Sequence, residues 1–397
     1  MKVLFINSFF SVGGPPRIVS GIYETLISQG HEAMLAAGRE KPIEGMNIYK
    51  IGTGLNKYCH YFMSVCFDSH GFASKLATRR LVRKIKEYKP DIIHLHNVHG
   101  YYLNIEILFN YIKKADIPVV WTLHDCWCMT GHCSHFEYVG CDRWRTDGCR
   151  NCPQKAEYPK SAGLDRSKTN FIRKKRAFCG VKNMTIVTPS RWLAEIANKS
   201  FLKEYDIRVI HNGLDTEKFM AVPSDLRQKH GLENKKVILG VAQNWGVKKG
   251  LEDFFKLAGM LDETYQIVLI GLTQQQIEML PANIIGLPRT NTLKSLLQYY
   301  TMADVFVNLT YEDTFPTVNL EALCCGLPVV TYKTGGSPES LDEKSGICVE
   351  QGNLEAVVDA IAKSERLMPE DCRARAKDFQ QQKRYFDYIE LYRNITT

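Results

Sequence analysis

Short apolar runs alternate with amphipathic stretches along nearly the whole chain, and this alternation restricts the fold more than any other feature. Runs at 2–7, 32–37, 91–96, 118–124 and 184–189, and again at 237–242, 266–271, 304–310 and 328–332, read as strands. Between them apolar residues recur every three or four positions, as at 251–261 and 354–362, which is the period of helices that bury one face. Strand and helix repeated in this order give an α/β fold of parallel sheets with helices on both sides. At 397 residues the chain is about twice one ordinary core, so two doubly wound domains are expected. The first is expected over 1–205 and the second over 206–375, with a turn at Asn212-Gly213 near the join. A helix rich in Tyr and Phe, 376–397, is expected to pack back on the first domain. Ligands of open α/β sheets sit at the carboxyl ends of the strands, so the site belongs in a cleft between the two domains.

Hydrophobic residues make up 45% and charged residues 24%, which excludes a wholly disordered or fibrous chain. No run of 18 apolar residues is present, and the opening MKVLFINSFF reads as a buried strand and not as a signal peptide, so a cytoplasmic protein is expected. The formal charge of +8 is unevenly spread: residues 1–205 carry +13 and residues 206–397 carry −5. A basic first half suits an anionic membrane surface, a phosphorylated acceptor or nucleic acid. No nucleic-acid motif is present, and none is expected as a partner. The stretch 75–89, KLATRRLVRKIKEYK, is a cationic amphipathic helix that follows the aromatic Tyr61-Phe62-Met63. It is a candidate for membrane-surface contact, with a plain solvated face as the alternative.

Four places could carry chemistry. After the first strand comes Ser11-Val12-Gly13-Gly14-Pro15-Pro16-Arg17, where amides of Gly13, Gly14 and Arg17 at a helix start suit a phosphate. It is neither GxGxxG nor a Walker A loop, which argues against a dinucleotide dehydrogenase or a P-loop kinase. After the strand VILGVA, Asn244 is followed by Lys248-Lys249-Gly250, two cations well placed to neutralise a diphosphate. After the strand ending at Thr310, Asp313 and Glu321 flank seven residues in which Phe315, Thr317 and Val318 offer amides at a helix start, while Pro316 has none to offer. Glu321 lies inside the apolar pattern VNLEAL, where an unpaired carboxylate is costly, so a ligand role is expected. His96, Asn97 and His124 fall at the ends of two predicted strands, where a histidine can bond a sugar hydroxyl or help a proton leave; His94, inside its strand, reads as structural.

The chain has 13 cysteines, and six of them lie between 126 and 152. Cys133, Cys141, Cys149 and Cys152 are spaced C-x7-C-x7-C-x2-C within an aperiodic insertion at 126–165. A loop of that length needs a staple or a function. Four thiolates that close a structural zinc site are the reading adopted, with His132 and His135 as rival ligands and free thiols or a redox pair as the alternatives.

Together GGPPR, PDIIHLHN, WTLHD, TPSRWLAE, VIHNGLD, the KKG after VILGVA, DTFPTVNLEALCCGLPVV and GGSPE resemble the retaining family 4 glycosyltransferases of the GT-B fold. The resemblance covers nearly the whole chain. The cysteine segment narrows it to enzymes that build bacterial exopolysaccharide, capsule and colanic-acid-type units. It implies two Rossmann-like domains, a nucleotide-sugar donor with UDP favoured over GDP, and a lipid-linked saccharide acceptor at the inner face of the membrane. It implies that Gly14 and Arg17 lie beside the donor phosphate, Lys249 holds the diphosphate, Glu321 binds the ribose, and Asp313 and His124 meet the donor sugar. Three departures stand out: Asp313 takes the place of the usual first Glu, unless adjacent Glu312 serves with the spacing lengthened to eight; Phe315-Pro316 replaces Phe-Gly; and Asn244 or Lys248 must cover for an absent arginine. No Asp-x-Asp occurs, in accord with lysine and amides rather than a catalytic metal meeting the leaving charge. The alternatives are a nucleotide-sugar epimerase on the same fold and a non-catalytic, zinc-containing binding protein.

Overall fold

The computed structural model describes residues 1–10, 14–39, 45–146 and 148–396. Gly13, expected in the phosphate loop, lies outside them. The chain divides into two compact units: Met1–His211 with Arg384–Thr397, and Asn212–Lys383.

The first unit is built on seven strands: β1 (Lys2–Asn7), β2 (Glu32–Ala37), β3 (Ile48–Lys50), β4 (Ile92–Leu95), β5 (Val119–Thr122), β6 (Met184–Thr188) and β7 (Asp206–Val209). Their spatial order is β3-β2-β1-β4-β5-β6-β7, and every pair is parallel. The central strands are apolar throughout because helices cover both faces; β4, IIHL, is buried at all four positions. Residues 206–209, expected to open the second domain, instead form the last strand here, with Thr185 opposite Asp206 and Thr188 opposite Val209.

The second unit has six parallel strands: β8 (Lys236–Val241), β9 (Tyr265–Ile270), β10 (Ile284–Leu287), β11 (Val305–Asn308), β12 (Val329–Tyr332) and β13 (Gly346–Val349), in the order β10-β9-β8-β11-β12-β13. The strand order reverses between β1 and β4 in one unit and between β8 and β11 in the other. Such crossovers leave an opening at the carboxyl ends of the two central strands, and ligands bind there.

The end of the chain is two helices and not one. Pro369–Lys377 buries Cys372 and Ala376 in the core of the second unit. Gln381–Thr396 follows, and its Tyr385, Tyr388, Ile389, Leu391 and Tyr392 are buried beside Val3, Phe5 and Ile22 of the first unit. A Cβ on Gly21 would stand 2.1 Å from the Tyr385 ring, so glycine is what lets this helix lie down. The same helix ties off His94. The Tyr392 hydroxyl meets His94 Nδ1 at 2.6 Å, His94 Nε2 meets Thr122 Oγ1 at 2.8 Å, and Thr122 donates to Tyr388 Oη at 3.2 Å. Burial holds the His94 imidazole well below its usual pKa, so it stays neutral and accepts one bond while it donates the other.

Candidate functional site

Each crossover collects the side chains singled out above. In the first unit the helix Gly14–Ser28 starts just past β1, with Arg17 exposed in its first turn. Past β4, His96 is buried and Asn97 half-buried, and the Asn97 amide donates to Asn7 Oδ1 at 3.2 Å. Past β5 comes His124, half-buried. His96 Nδ1 and His124 Nε2 lie 3.0 Å apart, with their rings stacked at 5.3 Å. His96 Nε2 is buried and has no protein partner. Burial first, then His94 and His124, hold His96 well below its usual pKa. Burial lowers His124 to about 4 against the opposing pull of Asp125. Two neutral imidazoles sharing one proton can hydrogen-bond a hydroxyl and pass its proton on.

The carboxylate of Asp125 is held beside them. His99 Nε2 reaches Asp125 Oδ2 at 2.8 Å, and the Trp127 amide donates to Oδ1 at 2.9 Å. Burial alone would raise this acid, but His99 outweighs it and brings Asp125 to about 2. These residues line a small hollow together with Trp121 and Leu123.

In the second unit β8 runs into a loop with Asn244 exposed, then into the short turn Val247–Lys249. Gly250 caps that turn at φ 73°, and a Cβ there would stand 2.2 Å from the Leu309 carbonyl. Only glycine lets the two lysines press against the end of β11. Lys249 Nζ donates to Asp313 Oδ2 at 2.8 Å and to Thr310 Oγ1 at 3.2 Å. Lys248 Nζ lies 2.9 Å from Glu312 Oε2. Both acids are therefore engaged, each by its own lysine, and Asp313 answers the lysine expected on the diphosphate.

The helix Thr317–Cys324 begins at Pro316 without a side-chain cap, so its opening amides have no carbonyl behind them within the helix. Thr317 and Val318 are half-buried there. The Phe315 amide is already given to Asp313 Oδ1 at 3.2 Å, and the Phe315 ring is buried against Phe379. Phe315 thus supports the loop and orients Asp313. Glu321 is buried, and the Tyr300 hydroxyl donates to its Oε2 at 3.1 Å. Tyr300 and Thr310 carry no motif that singles them out in sequence; one lies in an ordinary helix pattern and the other just past β11.

The cysteine insertion has one short turn, Trp127–Met129, as its only regular element among the described residues. Lys174, fully buried, donates to the Trp127 carbonyl at 2.7 Å and lies 3.4 Å from the centre of the Trp127 ring. His132 Nδ1 meets Asp68 Oδ1 at 2.6 Å, and Phe136 packs on Trp144 at 4.9 Å. Cys133 and Cys152 hydrogen-bond each other, and this contact holds the Cys152 thiol below its usual pKa while Cys133 rises. Cys149 is pushed up to about 11 by burial. Among the described residues, no three His, Cys, Asp or Glu side chains are grouped as a metal site. Cys133 and Cys149 are buried, while Cys141 and Cys152 are half-buried.

Two all-parallel units, each with polar and charged groups at its central crossover, define the GT-B class of glycosyltransferase folds. The sequence profile of Glycosyltransferase Family 4 matches residues 12–218, and that of Glycosyl transferases group 1 matches residues 224–381. The chain belongs to the family 4 glycosyltransferases. It is 26% identical to the putative colanic acid biosynthesis glycosyl transferase WcaC of Escherichia coli (strain K12), over 66% of this chain and 64% of that relative. The match therefore spans just under two thirds of that relative's length. The fold is similar to sucrose-phosphate synthase from Thermosynechococcus elongatus, with a TM-score of 0.72 and 18% identity over 99% of this chain and 98% of that one. It is similar also to Anabaena HepE in complex with UDP, with a TM-score of 0.70 and 16% identity over 99% and 100%.

Proposed function

We propose that the chain moves a sugar from a nucleotide-sugar donor to a hydroxyl of a lipid-linked saccharide, with retention at the anomeric carbon, in the building of bacterial surface polysaccharide. UDP is the favoured nucleotide, and the reaction takes place at the inner face of the plasma membrane. The similarity to the putative colanic acid transferase WcaC and to HepE, solved in complex with UDP, supports this reading. The observation that carries it is the crossover of the second unit. Lys249 and Lys248 are fixed by Asp313 and Glu312, beside the open start of the helix that carries buried Glu321.

As the anomeric C–O bond breaks, negative charge grows on the diphosphate. Lys249, Lys248 and the amides of Thr317 and Val318 are fixed before that charge appears, so they stabilise it without reorganising. Glu321 takes the ribose hydroxyls. Asp313 and His124 hold the donor sugar, and His96 and Asn97 serve the acceptor. The acceptor oxygen attacks from the face the diphosphate leaves, and its proton passes to the departing phosphate oxygen. A structural zinc on Cys133, Cys141, Cys149 and Cys152 belongs to the same proposal as a staple, and no step passes through it.

Lys249→Ala and Glu321→Ala are each expected to lower transfer by about 100-fold or more while circular dichroism is unchanged. Full turnover in both variants overturns the reading. Melting with UDP, GDP and their sugars tests the donor: one nucleotide should raise Tm, since only the folded chain binds it.

A further inference from the structure

The helix Gly54–Phe67 is unusual for a helix in contact with water. It buries only His60 and Ser64. Leu55 is 73% exposed, Tyr58 69%, Phe62 58% and Tyr61 47%, and Lys57 is its one charged residue. Positions 55, 58 and 62 recur at helical spacing and so form one stripe. Phe67 continues it, with its ring 6.2 Å from Phe62. Leu164, 48% exposed, adjoins it through an amide that donates to the Cys66 carbonyl at 3.4 Å. Single exposed apolar residues are ordinary, but a contiguous stripe marks a surface that something covers.

The next helix supplies the opposite chemistry. Lys75–Tyr88 carries Lys75, Arg79, Arg80, Arg83, Lys84 and Lys86 against the single acid Glu87. Its buried side is Ala77, Thr78, Leu81 and Ile85, and its cations lie on the remaining faces. The two helices are pinned where the second begins: His60 Nδ1 and Ser74 Oγ lie 2.7 Å apart. An apolar stripe beside a cluster of cations fits an occupant that is apolar within and anionic at its surface. A second copy of this chain fits poorly, since a symmetric contact would bring the basic helices together. An anionic bilayer meets both demands.

We propose that the helix Gly54–Phe67 lies in the interface of an anionic membrane, with Leu55, Tyr58 and Phe62 below the headgroups and the helix Lys75–Tyr88 against their phosphates. The stripe joins the histidine site of the same unit through aromatic contacts. Tyr61 packs on Tyr101 at 5.3 Å, and Tyr101 packs on Tyr158 at 6.1 Å. The Tyr158 hydroxyl lies 3.0 Å from His99 Nδ1, on the ring that holds Asp125. The exposed helix and the histidine site are thus linked by a run of ring contacts within one unit. The inference deepens the membrane-side location proposed above, but it needs no transfer activity, so the two fail separately.

The full chain is sedimented with vesicles of phosphatidylglycerol and phosphatidylcholine, and with phosphatidylcholine alone. Binding is expected to the mixed vesicles, to be weaker on the neutral ones, and to fall as salt is raised. The double variant Tyr58→Ser, Phe62→Ser should lower the partition by about tenfold or more with an unchanged melting curve. In Phe62→Trp, indole emission should shift to the blue when mixed vesicles are added. The proposal is overturned if the chain stays in solution with anionic vesicles at low salt, or if the double serine variant binds as well as the parent. Sedimentation velocity that shows a dimer broken by the serine variant, with vesicle binding intact, assigns the stripe to a second copy and overturns it equally.

Discussion

Tyr300 is 1% exposed and spends its hydroxyl on Glu321, the carboxylate proposed to take the ribose. A buried carboxylate with a fixed donor on one oxygen has the other turned to a set direction. Tyr300→Phe removes only that donor. It is expected to weaken nucleotide binding about tenfold, with kcat nearly unchanged once donor saturates. Titration calorimetry with the nucleotide and a KM-against-kcat comparison check this; equal affinity in the variant removes Tyr300 from the site. The contrast with the histidines shows what one residue discloses in sequence. His94 and His96 stand two apart in one motif, yet His94 is closed on both nitrogens by Tyr392 and Thr122, whereas His96 faces His124. A strand's alternation puts both on one face, and their rings lie 4.0 Å apart. Which of the two meets a tyrosine from nearly 300 residues away is not written locally.

At the scale of elements, the strands that the sequence pattern missed share one property. β3, β7, β10 and β13 are the outermost strands of the two sheets. The pattern of β7, DIRV, alternates between exposed and partly buried positions, and β3 has no buried residue. A strand paired on one side needs no continuous apolar run, so the signal that marks the centre of a parallel sheet fades at its rim. The cysteine insertion is the other element that local pattern could not build. Its spacing points to zinc, while the fold it adopts rests on Lys174, on the Asp68–His132 pair and on the Phe136–Trp144 contact. If the staple proposed for it is present, purified chain carries about one zinc, and Cys152→Ser loses it and melts lower. Metal analysis that finds none in fully active chain removes the staple.

Over the whole molecule the two units differ in how they answer to acid. Ten of the eleven histidines lie at or before His211, in the first unit. All five with buried, strongly lowered values are there: His60 at about 3, His124 at about 4, and His70, His94 and His96 well below their usual value, each chiefly through burial. In the unfolded chain these imidazoles take protons near pH 6.5; folded, they do not until much lower. Between about pH 6.5 and 4 the unfolded first unit therefore binds more protons than the folded one, and its stability falls as pH falls. The contribution is fully present above about pH 6.5, and each such histidine removes up to about 1.4 kcal/mol per pH unit below it. The excess of +13 over residues 1–205 adds repulsion to every proton gained. The second unit holds His230 alone and has no matching reservoir. Calorimetry from pH 7.5 to 4.5 should show one transition moving steeply to lower temperature while another holds. Hydrogen exchange should place the early loss in β1, β4 and β5, around His94, His96 and His124. If the second unit melts first on acidification, or both move in step, the buried imidazoles do not control the acid response.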